Sequence, residues 1–214
     1  MGTGKASALG RNKSGPVDAA AAISMFMGGT PAKRQLSALL GGLGGGKAGG
    51  GGATATNGES TAKGAKESGV AAAAGSGASS GLPTTSDDGT IEMNFRQVNQ
   101  DGAGPLSAQI DATSGGTDPD AFQDATVTQD VPGIGIGGLS GASVKDFPVK
   151  VQMPAGMTCS ASVGGADNVC VVRVQNSAIA GPFGGSGAFT QSPAARKRSI
   201  EVCFIRSLHF ITSH

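Results

Sequence analysis

Glycine is distributed unevenly along this chain of 214 residues, and the distribution limits where a packed core can form. Residues 1–88 hold 21 of the 38 glycines, with glycine-rich runs at 41–46 and 49–52. Ordering a glycine backbone costs more conformational entropy than ordering any other residue, and few large apolar side chains offset that cost here. We therefore predict a low-complexity, largely disordered Gly/Ala/Ser-rich arm over residues 1–81, with short helices near 17–27 and 35–43.

The pattern of apolar and polar residues changes near Thr90. Ile91, Met93 and Phe95 alternate with polar residues, and a two-residue period recurs near 125–131, 147–153, 157–163 and 169–174. This period is typical of strands that bury one face, and Gly, Pro, Asn and Asp cluster between the segments. We predict a mainly β fold, with a single antiparallel β-sandwich over residues 82–192. Residues 193–214 are a basic and then apolar tail.

Charge and hydropathy exclude several classes of protein. The formal net charge is +1, but residues 89–192 carry four basic and nine acidic side chains. An acidic domain repels phosphate backbones, so we predict no nucleic-acid partner. No apolar run of about 18 residues is present, so we predict no transmembrane segment. The basic clusters Lys33-Arg34 and Arg196–Arg198 fit either solubilising charge or processing by a dibasic-specific protease.

Cys159 and Cys170 flank a turn at residues 164–168, and ten residues separate them. In a hairpin, residues at this separation can face each other across two strands. One interpretation is a disulfide, which would imply secretion and contribute about 3 kcal/mol. The other is a pair of buried thiols in a cytosolic domain. Cys203 is the odd cysteine and lies in the tail.

Metal-ligating residues are sparse. The two histidines, His209 and His214, lie in the tail, and the cysteines form no CxxC pair, so the sequence predicts no zinc site. Asp118, Asp120 and Asp124 form an acidic cluster without the glycine and glutamate positions of an EF-hand loop. A solvated loop and a weak calcium site are the two interpretations. We predict no cofactor.

Catalytic patterns are also weak. No histidine lies upstream of residue 193 to serve as a base for a nucleophile. Asp101, Asp111, Asp130 and Glu92 could meet as the paired carboxylates of a hydrolase, although nothing in their spacing requires it. The segment Gly133–Gly138 is not followed by a helical pattern, which argues against a dinucleotide site.

Several consecutive motifs between residues 82 and 198 occur in an order typical of one protein family. They include Ser114–Asp118, Phe147–Val149 and Met153–Cys159. The two motifs that carry most of the resemblance consist of Asn99, Gln100, Asp101, Gly102, Ala103, Gly104, Pro105, Gly181, Pro182, Phe183, Gly184 and Gly185. Together these residues resemble the fungal Egh-like virulence factor family, whose members are appressorium-specific cell-surface proteins (GEgh-type).

This resemblance implies a secreted or cell-surface fungal protein that is associated with host infection. We expect it to act without catalysis, by binding cell-wall or cuticle polysaccharide. Family members begin with a signal peptide followed by a histidine, whereas this chain begins with Met1-Gly2. The expectation is an N-terminally truncated chain. The tail after Arg198 departs from the family pattern, and intron read-through or a frame change would explain it.

Two alternative functions remain. One is a copper-dependent enzyme for oxidative polysaccharide degradation. A copper site of this kind uses an N-terminal histidine, which this chain lacks, so the chain would be a truncated form of such an enzyme. The other is a cytosolic interaction module with a free pair of thiols at Cys159 and Cys170.

Overall fold

The computed structural model describes residues 7–12, 15–29, 59–60, 72–133, 145–179 and 181–212. The predicted helix near 35–43 and most of the segment Gly133–Gly138 lie outside these residues. The helices are α1 (Ala19–Phe26), α2 (Gly77–Ser80) and α3 (Pro193–Thr212). The strands are β1 (Arg11–Asn12), β2 (Gly15–Pro16), β3 (Glu59–Ser60), β4 (Thr90–Gln97), β5 (Leu106–Asp111), β6 (Phe122–Gln129), β7 (Lys145–Gln152), β8 (Ala161–Val163), β9 (Ala166–Asn176) and β10 (Gly184–Thr190).

Eight of the strands form one antiparallel sheet, which confirms the predicted mainly β fold. The main path of the sheet is β10-β9-β5-β6-β7-β3, while β4 pairs with β7 and β8 pairs with β9. The sheet curls, so that β10 contacts β4 and Thr84 forms a parallel bridge with Thr190. The two layers predicted as a sandwich are therefore the two halves of one continuous sheet.

Alternate residues of β9 place apolar side chains on both faces of the sheet. Cys170, Val172 and Val174 belong to the inner core between the two halves of the sheet. Val169 and Val171 belong to a second core on the outer face. Strands that are buried on both faces read as a continuous apolar run, which explains the sequence Val169–Val172.

Cys159 and Cys170 form a disulfide inside the inner core, which is the first of the two interpretations above. Their S–S distance is 1.97 Å and both residues are buried. The amide of Cys159 donates a hydrogen bond of 2.8 Å to Oε1 of Gln191. Nε2 of Gln191 donates to the carbonyl of Met157 at 3.0 Å. Gln191 directly follows β10, so its side chain ties the segment before Cys159 to the end of that strand.

The second core recruits residues from the glycine-rich arm. Asp18 caps α1, accepting a 3.0 Å hydrogen bond from the amide of Ala21. Ala19 and Ile23 of α1 pack with the outer face of the sheet. Arg173 lies on the same face, with its guanidinium 4.0 Å from the ring centre of Phe122 and bonded to the carbonyl of Ala8. Part of the arm thus packs on the domain, which the glycine content alone did not predict.

The tail begins as a helix that is attached to the domain. Ser192 Oγ accepts a 3.1 Å hydrogen bond from the amide of Ala195, as an N-cap does. The same hydroxyl donates to Asp87 Oδ1 at 2.9 Å, and the amide of Ser192 donates to Thr85 Oγ1 at 3.1 Å. The start of α3 is therefore tied to the segment that precedes β4.

Candidate functional site

The two family motifs meet at one end of the sheet, around the buried side chain of Asn176. Its Nδ2 donates to the carbonyls of Asp101 and Ala103, at 2.8 Å and 3.0 Å. Its Oδ1 accepts from the amides of Phe183 and Ala178, at 2.9 Å and 3.3 Å. One amide side chain thus satisfies four backbone groups from two loops, and it holds the loops together.

Two glycines of these motifs occupy positions where the backbone approaches another segment of the chain closely. A Cβ atom at Gly104 would collide with the carbonyl oxygen of Val131, and one at Gly184 would collide with the carbonyl oxygen of Val174. Only glycine permits such an approach without displacing the backbone. The motif residues therefore act mainly in building this end of the fold, and Asn176, which joins them, was not identified from the sequence.

Asp111 lies at the end of β5 and organises the loop that follows. Its carboxylate accepts hydrogen bonds from the amides of Thr113 (2.8 Å), Ser114 (2.9 Å) and Gly116 (2.7 Å), and from the hydroxyl of Ser114. Burial alone would raise the pKa of Asp111, but hydrogen bonds from Ser114, Thr113 and Gly116 outweigh it and lower the pKa. This carboxylate therefore holds a loop rather than facing a partner carboxylate.

The other acidic candidates are engaged separately. Asp118 accepts from the amide of Asp120 at 2.9 Å, and Asp124 accepts from Nε2 of Gln109 at 2.8 Å. Asp130 accepts from the amide of Leu106 at 3.0 Å. Within the described part of the chain, no group of three or more His, Cys, Asp or Glu residues is placed to hold a metal ion.

A separate open cleft lies across β4, β7 and β6, and we call it the polar groove. Its volume is about 770 Å³, within the range of roughly 300–1,000 Å³ that is usual for ligand clefts. Nine of the eleven described lining residues have hydroxyl, amide or charged side chains, and the other two are Pro83 and Ile91. The nine are Thr84, Thr85, Ser86, Asp88, Thr90, Glu92, Thr128, Lys150 and Gln152.

Strand register explains why these side chains converge. Thr90 and Glu92 of β4 lie opposite Gln152 and Lys150 of β7, and alternate residues of a strand share one face. The buried Ile91 lies between Thr90 and Glu92 in sequence and contributes to the inner core. The outer face of the β4–β7 pair is therefore polar while its inner face is apolar.

The floor of the polar groove is held by a hydrogen-bond network around Gln152. Its Oε1 accepts from Thr90 Oγ1 at 2.9 Å, and its Nε2 donates to the carbonyl of Asp88 at 2.8 Å. The amide of Thr90 donates in turn to Asp88 Oδ1 at 2.9 Å. These bonds tie the turn before β4 to the end of β7, so the polar groups are positioned before any ligand arrives.

In the described part of the chain, the groove lining has three charged side chains, Asp88, Glu92 and Lys150. The hydroxyl of Ser86 and then the amide of Thr90 stabilise the Asp88 carboxylate and lower its pKa to about 2. Nζ of Lys150 lies 3.3 Å from Oε2 of Glu92, as an ion pair at the surface. Such a set of hydroxyls, amides and carboxylates can bind a polyhydroxylated ligand.

The polar alternation in β4 and β7 is visible in the sequence, but the polar groove was not predicted from it. Strand pairing brings Thr90 and Gln152 together across 62 residues of chain. The signal that could have found the groove is the outward polar set of each strand, once the pairing of β4 with β7 was known.

These features define a mainly β protein with a preformed polar cleft on one face of a curled antiparallel sheet. The model of the Egh16-like virulence factor family matches residues 1–184. The chain belongs to this family, which confirms the resemblance found in its motifs.

Two relatives come from the fungus Pyricularia oryzae. The chain is 58% identical over 210 residues to the appressoria-specific virulence factor GAS2, covering 94% of this chain and 71% of that protein. It is 37% identical over 130 residues to the appressoria-specific virulence factor GAS1, covering 59% of this chain and 50% of that protein. No solved structure matches the chain. In the described residues, no helix is both long enough and apolar enough to span a membrane.

Proposed function

We propose that this chain is a secreted or cell-surface fungal protein of host infection, and that it binds wall or cuticle polysaccharide without catalysing a reaction. The observation that carries the proposal is the polar groove, whose hydroxyl and amide groups are positioned by hydrogen bonds on one face of the sheet. Sugar rings present many hydroxyl groups, and preformed hydrogen-bond partners reduce the entropic cost of binding them.

Two further observations support the proposal. The relatives GAS2 and GAS1 are named as appressoria-specific virulence factors, which fits a role in host infection. The buried disulfide between Cys159 and Cys170 fits an oxidising compartment outside the cytosol.

The test is depletion of the purified chain from solution by insoluble chitin, β-glucan, cellulose and isolated plant cuticle. We expect the chain to bind at least one of these polymers and the Gln152→Ala variant to bind it more weakly. The loss of positioned hydrogen bonds at the groove floor should lower affinity about five- to tenfold.

Gln175→Ala is the matched control, because Gln175 is an exposed glutamine of β9 outside the polar groove. Circular dichroism of both variants establishes that they fold. Retention of the wild-type chain on none of the four materials would refute the proposal, as would equal loss in Gln152→Ala and Gln175→Ala.

A further inference from the structure

The charges in the polar groove constrain which polysaccharide it can take. Lys150 and Glu92 face each other at 3.3 Å, so their charges largely offset each other. Among the lining residues that the structure describes, Asp88 is the remaining charged side chain. This described part of the lining therefore carries a net negative charge, located at the turn before β4.

Asp88 also has acceptor capacity left. The hydroxyl of Ser86 (2.5 Å) and the amide of Thr90 (2.9 Å) both donate to Oδ1. The Thr90 side chain also forms a hydrogen bond with this carboxylate. An ionised carboxylate has about four acceptor sites, so capacity remains for a donor from a ligand. The pKa of about 2 keeps this carboxylate ionised at mildly acidic pH as well as at neutral pH.

The surroundings do not reverse this charge. Arg198 of α3 also lowers the pKa of Asp88, but by less than the hydrogen bonds from Ser86 and Thr90 do. The neighbouring Asp87 is a second carboxylate, bonded to Ser192. Residues 89–192 carry nine acidic and four basic side chains, so the wider domain repels polyanions.

We infer that the polar groove takes a positively charged polysaccharide, a partly deacetylated polymer of amino sugars, and disfavours acidic polysaccharides. This inference rests on the function proposed above. A ring ammonium group would donate to the Asp88 carboxylate, a charge-assisted hydrogen bond that is stronger than a neutral one. The ring hydroxyls would meet the hydroxyl groups of Thr84, Thr90 and Thr128 along the cleft.

The experiment compares retention of the purified chain on chitosan, fully acetylated chitin and polygalacturonate at mildly acidic pH. We expect tighter binding to chitosan than to chitin, and the weakest binding to polygalacturonate. Asp88→Asn keeps the shape and the Oδ1 acceptor but removes the charge, and should weaken chitosan binding about two- to fivefold and chitin binding by a smaller factor. Raising the salt to about 0.5 M should remove the preference, because the Debye length then falls to a few ångström.

Asp167→Asn is the matched control. Asp167 is an exposed carboxylate that also accepts a hydrogen bond from a serine hydroxyl, Ser162 Oγ at 2.6 Å, but it lies outside the polar groove. Equal losses in Asp88→Asn and Asp167→Asn would overturn the assignment to the groove, since overall charge would then explain both. Binding of chitin and chitosan with equal affinity would overturn the inference and leave the proposed function standing. Binding to no polymer at all would refute both.

Discussion

Replacing Asn176 with alanine tests whether one buried amide holds the two family motifs together. The substitution removes four hydrogen bonds, with lengths between 2.8 Å and 3.3 Å, to backbone groups of two loops. Each such bond contributes about 1 kcal/mol net, so we expect a loss of about 4 kcal/mol in the free energy of unfolding. This is a large share of the roughly 5–15 kcal/mol that stabilises a typical domain.

Urea denaturation followed by far-UV circular dichroism is the suitable assay, because the chain contains no Trp or Tyr to report by fluorescence. Asn176→Asp keeps the oxygen that accepts from Phe183 and Ala178 but places a buried carboxylate oxygen against the carbonyls of Asp101 and Ala103, so at neutral pH it should destabilise the protein at least as much as Asn176→Ala. Asn94→Ala removes an exposed asparagine of β4 and should change stability by less than about 0.5 kcal/mol. A loss below about 1 kcal/mol in Asn176→Ala would refute the role of this side chain as the link between the loops.

Three further predictions concern other parts of the fold. The double variant Cys159→Ser/Cys170→Ser, which opens a link with a sequence separation of 11, should lower the free energy of unfolding by about 3 kcal/mol in urea titrations, and reductant should then have no further effect. The lowered pKa of Asp111 contributes stability above the ordinary carboxylate pKa of 3.8 that is lost as pH falls below it. Asp111→Asn should therefore destabilise the protein at neutral pH and flatten its acid dependence, and an unchanged urea midpoint at neutral pH, or an equal difference from the wild type at neutral and acidic pH, would contradict this. Arg173→Met should speed hydrogen exchange of residues 7–29, since Arg173 bonds the Ala8 carbonyl, whereas unchanged exchange there would show that the second core alone holds the segment.

The strands were predictable because their pattern is local. Alternation in β4 and β7 and the turn residues between segments depend on near neighbours in sequence. The curl of the sheet, the pairing of β4 with β7 and the packing of α1 depend on contacts between distant segments. No period in the sequence encodes them, so one continuous sheet could not be distinguished from two.

The same distinction applies to the candidate site. Cys159 and Cys170 could be paired from the sequence because they flank one turn. Asn176 could not, because its partners lie in loops about 75 residues upstream and a few residues downstream. The polar groove was hidden for the same reason, since it forms between strands that are far apart in the chain.

The residues of the family motifs and the residues of the polar groove lie in different parts of the structure. Gly104 and Gly184 permit close backbone approach, and the loops that carry them converge on Asn176. These residues explain why the chain folds as it does, but they lie outside the polar groove. A change at the motif end should therefore reduce polymer binding only as far as it unfolds the domain, whereas Gln152→Ala and Asp88→Asn should reduce binding in a folded protein. Binding and stability measured on the same variants distinguish these two effects.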